Sequence, residues 1–187
     1  NIADNLTLDL NLHDLMGFRE EEVGELLRLA GAPEAEYARI LDDMRAWYNG
    51  YRFHEEAPQR LYNPDMVLYF VKEYAQYRKY PRYLLDGNVA SDYHKIGQRL
   101  RVGNEVVNRQ VVEEVLREGA VQAALTIQYS FARPWTRDDF ASLLFYLGML
   151  TIRQAVLTQL VLEMPNRVME GLYFDFFYAK LLEESQL

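Results

Sequence analysis

The chain has 187 residues, half of them apolar, and a formal net charge of −8, which is enough apolar material for one large or two small buried cores. It has no long basic tract and no cysteine, so a general phosphate-tracking surface is disfavoured, a local basic face stays open, and disulfides and thiolate nucleophiles are excluded. The longest apolar runs, such as "SLLFYLGMLTI", are too short for a bilayer and no signal peptide opens the chain, so a soluble, cytoplasmic protein is expected.

The chain begins at Asn1 rather than at methionine and is expected to be a piece of a longer protein. "NIADNLTLDLNL" alternates weakly and reads as a short strand or an extended lead-in. "REEEVGELLRLAG" sets Val23, Leu26, Leu27 and Ala30 at helical spacing, with acids in the first turn and Gly31 as a stop. A second helix carries Tyr37, Ile40, Leu41, Met44, Trp47 and Tyr48 on one face and breaks at Asn49-Gly50. Asn63 is the expected N-cap and Pro64 the first residue of a third helix with Met66 to Tyr74 as its body, ending before Pro81. Two further helices are expected between Ser91 and Glu118, with a break near Gly103. "VQAALTIQYSF" is ambiguous between strand and helix.

The pattern changes near Pro134, where a boundary between residues 1–133 and 134–187 is expected. Thr136 with Asp139 is a capping-box signature ahead of Phe140, Leu143, Leu144 and Leu147. From Thr151 to Glu163, Leu160, Leu162 and Met164 alternate against Gln159 and Glu163, and β-branched Thr151, Ile152 and Val156 supply a partner strand. Pro165-Asn166 then precedes a long helix through Leu172, Phe176, Ala179 and Leu182. The expected fold class is mainly α, a helical bundle followed by a winged-helix-like unit with a short β-hairpin.

Catalytic motifs are absent from the sequence. A phosphate-cradling P-loop needs Gly-Lys, and that dipeptide does not occur. A restriction-type nuclease needs an acid two residues before a lysine; Lys72, Lys79, Lys95 and Lys180 have Phe70, Tyr77, Tyr93 and Tyr178 there. His13, His54 and His94 lack the paired spacing of zinc sites, and no G-x-S-x-G elbow is present. The pairs Asp42-Asp43 and Asp138-Asp139 read as solvated surface or capping groups.

Five stretches in order, "GFREEEV", "WYNGYRF", "LYNPDMVLYF", "FASLLFYLGMLTI" and "MPNRVMEGLYF", resemble successive signatures of the AAA-ATPase-like proteins of bacteria, which often carry a C-terminal restriction-type nuclease domain. The resemblance covers nearly the whole chain and implies the middle section of such a protein. That section would be a helical lid (1–133) and a winged-helix-like unit (134–187), between an upstream P-loop domain and a downstream effector. It implies a non-catalytic segment with no cofactor or metal of its own, ATP and Mg²⁺ being held elsewhere in the parent protein. The family has Thr where Arg19 stands, so the capping box before "EEEV" is expected to be lost, and its stretch after the third helix is kept only loosely as "YLLDGN".

Within that resemblance, Arg52 is a candidate for the nucleotide phosphates, against a structural salt bridge. Tyr62, Asn63 and Pro64 are candidates for the nucleotide base, against an ordinary helix cap. Trp47, Tyr48, Tyr51 and Phe53 read as an aromatic corner that ties down the turn. Tyr74, Tyr77, Arg78, Lys79, Tyr80, Arg82 and Tyr83 interleave aromatics and cations as single-strand binders do, against a solvated helix end with inward tyrosines. The alternative function, a winged-helix DNA-binding module, meets four cations against seven anions between Thr136 and Leu187, so the unit is read as a protein-contact or structural element and DNA as an improbable partner.

Overall fold

The structure, a computed structural model, describes residues 6, 8–87, 89–91, 103–130 and 132–185, with side chains described to residue 175 and at 178. The fold is mainly α with a small antiparallel sheet. A 3-10 helix, Leu10–Met16, is followed by α1 (Glu20–Leu29), α2 (Glu34–Tyr48), α3 (Pro64–Tyr77), α4 (Glu105–Glu118), β1 (Ala120–Ala123), α5 (Arg137–Tyr146), β2 (Thr151–Val156), β3 (Gln159–Glu163) and α6 (Arg167–Ser185). None of the described helices is long and apolar enough to cross a membrane. The lead-in at residues 1–5 and 7, and the helix expected through Tyr93, Ile96 and Leu100, lie outside the described residues.

The chain divides into two compact units, Asn1–Gly87 with Pro165–Val168 and Asn88–Met164 with Met169–Leu187. In the first unit, α2 buries Ile40, Met44 and Tyr48 completely, and α3 buries Met66, Val67, Phe70 and Tyr74. Asn63 caps α3 by accepting from Met66 N–H at 3.2 Å, with Pro64 at the first helical position, where its missing N–H costs nothing. α1 presents Val23 and Leu27 to the core, joined by Ala30 just past its end. Gly24 lies on the same face because a Cβ there would run into the Tyr37 hydroxyl.

The start of α1 departs from expectation. The capping box is half kept: the Glu22 carboxylate reaches back to accept from Arg19 N–H at 2.8 Å. The other half is missing because a guanidinium has donors only and cannot accept from the helix amides.

The second unit joins α4, α5 and the three strands. β3 is central, with order β1-β3-β2, and both pairings are antiparallel. Ala120 pairs with Glu163 and Ala123 with Leu160 on one side, and Thr151 pairs with Glu163 and Val156 with Gln159 on the other. The register shifts between Ile152 and Gln154, just beyond the buried Thr151 and Ile152. Val111 and Val115 of α4, Phe140 and Leu144 of α5, and Met169 and Tyr173 of α6 are buried in this unit, with α4 and α5 both packed on β1. Pro134 falls inside this unit: β1, upstream of it, pairs with β3, and α4 packs on α5. The compositional break at Pro134 marks the loop before the Thr136 cap, with one core on both of its sides.

Candidate functional site

The turn after α2 is held by exchanged backbone pairs. Tyr51 N–H donates to Leu61 C=O at 3.0 Å and Leu61 N–H returns to Tyr51 C=O at 2.8 Å; Phe18 and Tyr62 exchange bonds of 3.1 and 2.8 Å in the same way. Asn63 N–H then reaches Tyr48 C=O at 3.0 Å. Gly17 permits the Phe18–Tyr62 approach, since a Cβ on it would stand 2.6 Å from the Tyr62 carbonyl oxygen. Arg60 donates to Gly50 C=O at 3.0 Å, closing the loop across its base.

The aromatics of "WYNGYRF" divide at Asn49-Gly50. Trp47 and Tyr48 join Phe70, and Tyr80 sets its ring edge-on to Trp47 at a centroid distance of 5.6 Å and near Phe70 at 5.4 Å. Tyr51 stacks on Phe53, which meets His13. His13 is buried with both ring nitrogens engaged: Nδ1 faces Phe53 N–H at 3.4 Å, and Nε2, carrying the proton, faces Gln59 C=O at 3.0 Å.

The four residues singled out in the sequence share this corner but differ in presentation. Tyr62 is fully buried and its hydroxyl donates to Glu20 at 3.0 Å. Burial, and then the Glu20 carboxylate, push that phenol well above its ordinary range. Asn63 spends its side-chain oxygen on the α3 cap and Pro64 sits in the first turn, so both serve the helix start. Arg52 is half-buried next to Tyr51.

No local pattern signals the ion cluster behind Tyr62. Arg45 binds Glu20 through Nε at 2.5 Å and Nη2 at 2.7 Å, and its third nitrogen takes Asp42 at 2.6 Å. The fork holds the Glu20 carboxyl below its usual range. Glu20 and Arg45 are on different helices, so only tertiary pairing of α1 with α2 brings them together.

Beyond Tyr80, an open cleft of about 430 Å³ lies between the start of α2 and the end of α3. Its lining includes Pro33, Glu36 and Arg39 from one side and Tyr74, Arg78, Lys79 and Tyr80 from the other. Arg39 donates to Glu36 at 2.7 Å and sits 5.9 Å above the Tyr80 ring. Tyr80 donates to Asp43 at 2.7 Å, and Arg78 donates to the Ala30 carbonyl at the end of α1. Of the interleaved cluster at residues 74–83, then, Tyr74 and Tyr80 point inward, while Tyr77 and Tyr83 are exposed and Arg82 lies 5.5 Å over the Tyr83 ring.

Among the described residues, the second unit has one buried carboxylate. Asp139 accepts from Arg133 at 2.5 and 2.7 Å, from Thr126 at 2.8 Å and from Thr136 N–H at 2.8 Å. The guanidinium, followed by the Thr136 amide and the threonine hydroxyls, holds this carboxyl far below its ordinary range. Every one of its oxygens is engaged within the fold, so the group serves structure. Among the described residues, no three His, Asp or Glu side chains gather as a metal centre requires.

Comparison of the chain with protein-family models, with curated proteins and with solved structures gives no match.

Proposed function

We propose that the chain is the non-catalytic lid and coupling segment of an AAA-like ATPase, closing over a nucleotide held by an upstream P-loop domain and passing the movement to a downstream effector. The observation that carries this reading is the order of five motifs along nearly the whole chain. Their local geometry is in keeping with it. "GF" bridges to "LY" through Phe18 and Tyr62, and "WYNGYRF" is the turn that this pairing fixes. Arg52 is therefore carried on a stiff turn, which suits a residue that must meet a phosphate in one arrangement.

The test uses the full-length protein. Arg52→Ala lowers ATP turnover or affinity and leaves the melting temperature nearly unchanged, because a phosphate contact stabilises the bound state and not the free fold. A variant that melts much lower with normal turnover makes Arg52 a structural residue. The isolated chain hydrolyses no ATP; activity that persists through purification sinks the reading.

A winged-helix DNA-binding module is the second reading, favoured by one observation: helix, strand, helix and hairpin in sequence, with strand order β1-β3-β2. Charge opposes it, at four cations against seven anions from Thr136 onward, since duplex binding draws on phosphate neutralisation. The chain therefore leaves a duplex probe unretained at physiological salt, where nonspecific binders reach Kd of ~10⁻⁴ to 10⁻⁶ M. Salt-sensitive micromolar retention restores the DNA reading.

A further inference from the structure

The cleft at the start of α2 concentrates positive charge in an acidic setting. Across residues 1–87, Asp and Glu outnumber Lys and Arg sixteen to ten, yet the cleft lining holds Arg39, Arg78 and Lys79 against Glu36 alone. Two of these cations are already positioned. Arg39 is braced by Glu36 and the Tyr80 ring, and Arg78 by the Ala30 carbonyl. Each guanidinium has five N–H donors, and these contacts leave several of them for a ligand. A long side chain held before binding gives up less entropy when a ligand arrives.

Arg78 is also held in the left-handed region, φ 54°, at the end of α3, where glycine is the usual residue and an L side chain is strained. Its guanidinium crosses over Gly31, whose missing Cβ makes the room. Lys79 is exposed and makes no ion pair among the described residues. Tyr74 and Tyr80 form an apolar floor, beside which the charges are less screened than in open water.

We propose that this cleft binds a phosphate-bearing small molecule, with the Arg39 and Arg78 guanidinium groups on phosphate oxygens and Lys79 adding a mobile positive charge. A volume of about 430 Å³ is within the range of small-ligand pockets and accommodates a polyphosphate chain. The inference is independent of the lid reading, because Arg52, Tyr62, Asn63 and Pro64 do not line the cleft.

The test titrates the 187-residue chain with inorganic tripolyphosphate and, separately, with ATP, by calorimetry at low and at physiological salt. Saturable binding with Kd below ~1 mM is expected for both ligands at low salt, weakening as salt rises. Lys79→Glu and Arg39→Ala each weaken it at least tenfold while circular dichroism and melting temperature stay those of the parent chain, both residues being exposed. Equal affinity for the two ligands identifies the phosphate chain as the recognised part, and ATP at least tenfold tighter identifies a nucleotide. No saturation by ~1 mM, binding of ATP without tripolyphosphate, or binding that either variant leaves unchanged overturns the proposal.

Discussion

Trp47 has aromatic neighbours on several sides, with Tyr48, Phe70 and Tyr80 at centroid distances of 6.1, 6.2 and 5.6 Å. Truncating a buried large aromatic costs ~3–5 kcal/mol; the indole is only half-buried, so Trp47→Ala is expected to cost ~2–4 kcal/mol in urea unfolding. Tyr62 makes a different contribution. Its ring fills the core and its hydroxyl bonds an ionised carboxylate, so Tyr62→Phe keeps the packing and removes the hydroxyl's bonds to Glu20 and to the Asn49 side chain. The expected loss is ~1–2 kcal/mol, near the lower end for hydrogen bonds to charged groups, because Glu20 keeps its Arg45 fork. A Tyr62→Phe protein with a parental urea midpoint would show that the bonds are exchanged for water without cost.

At the level of elements, α5 depends on one carboxylate. Asp139 closes the capping box with Thr136 and ties the helix to Thr126 and Arg133. Its folded pKa is depressed below the ordinary 3.8, so its contribution is complete above that value and is lost as pH falls towards the folded pKa. Stability of the parent chain should therefore drop on acidification below about pH 4, and Asp139→Asn should flatten that part of the curve while costing ~2–3 kcal/mol at neutral pH. Equal acid slopes in the two proteins would assign the acid sensitivity to other carboxylates. The β2–β3 turn gives a prediction of opposite sign. Leu157 is 98% exposed at φ 56°, so Leu157→Asn should stabilise by ~1 kcal/mol, asparagine tolerating that conformation better.

The same elements show what the sequence could disclose. α1, α2, α3, α5, the β2–β3 hairpin and α6 follow from apolar period and capping residues, which are local signals. β1 was not legible: "AVQA" is too short to show a strong alternation, and its conformation is set by pairing with β3, about forty residues on. The weak alternation of "NIADNLTLDLNL" reads as a strand or extended lead-in up to Leu12, yet Leu10–Met16 forms a 3-10 helix, with the Asp9 carboxylate accepting from Asn11 N–H at 2.9 Å. Of the cleft, the cations at 78 and 79 were visible as a run beside tyrosines. Arg39 was not, because only the packing of α2 with α3 brings it there.

For the whole molecule, the segment Pro165–Val168 belongs to the first unit although it follows the strands of the second. Asn166 and Val168 are each 7% exposed, so this short stretch is part of a core and not a bare linker. It comes close to Gly50, which has φ +121° and on which a Cβ would collide with the Pro165 carbonyl group. A backbone carbonyl cannot swing aside as a long side chain can; either the turn at Asn49-Gly50 or the 165–168 segment must shift. Gly50→Ala should therefore cost backbone strain plus the collision, ~3 kcal/mol or more. Gly119→Ala supplies the control: φ is +73° but nothing stands within 4 Å of the added Cβ, so only the strain of ~1–2 kcal/mol is expected. The difference between the two urea midpoints, at equal slope, measures how firmly the distant segment is seated. If Gly50→Ala costs no more than Gly119→Ala, Pro165 yields easily. A fragment ending at Gly87 should then be nearly as stable as the first unit is within the full chain, whereas a seated segment makes that fragment markedly less stable.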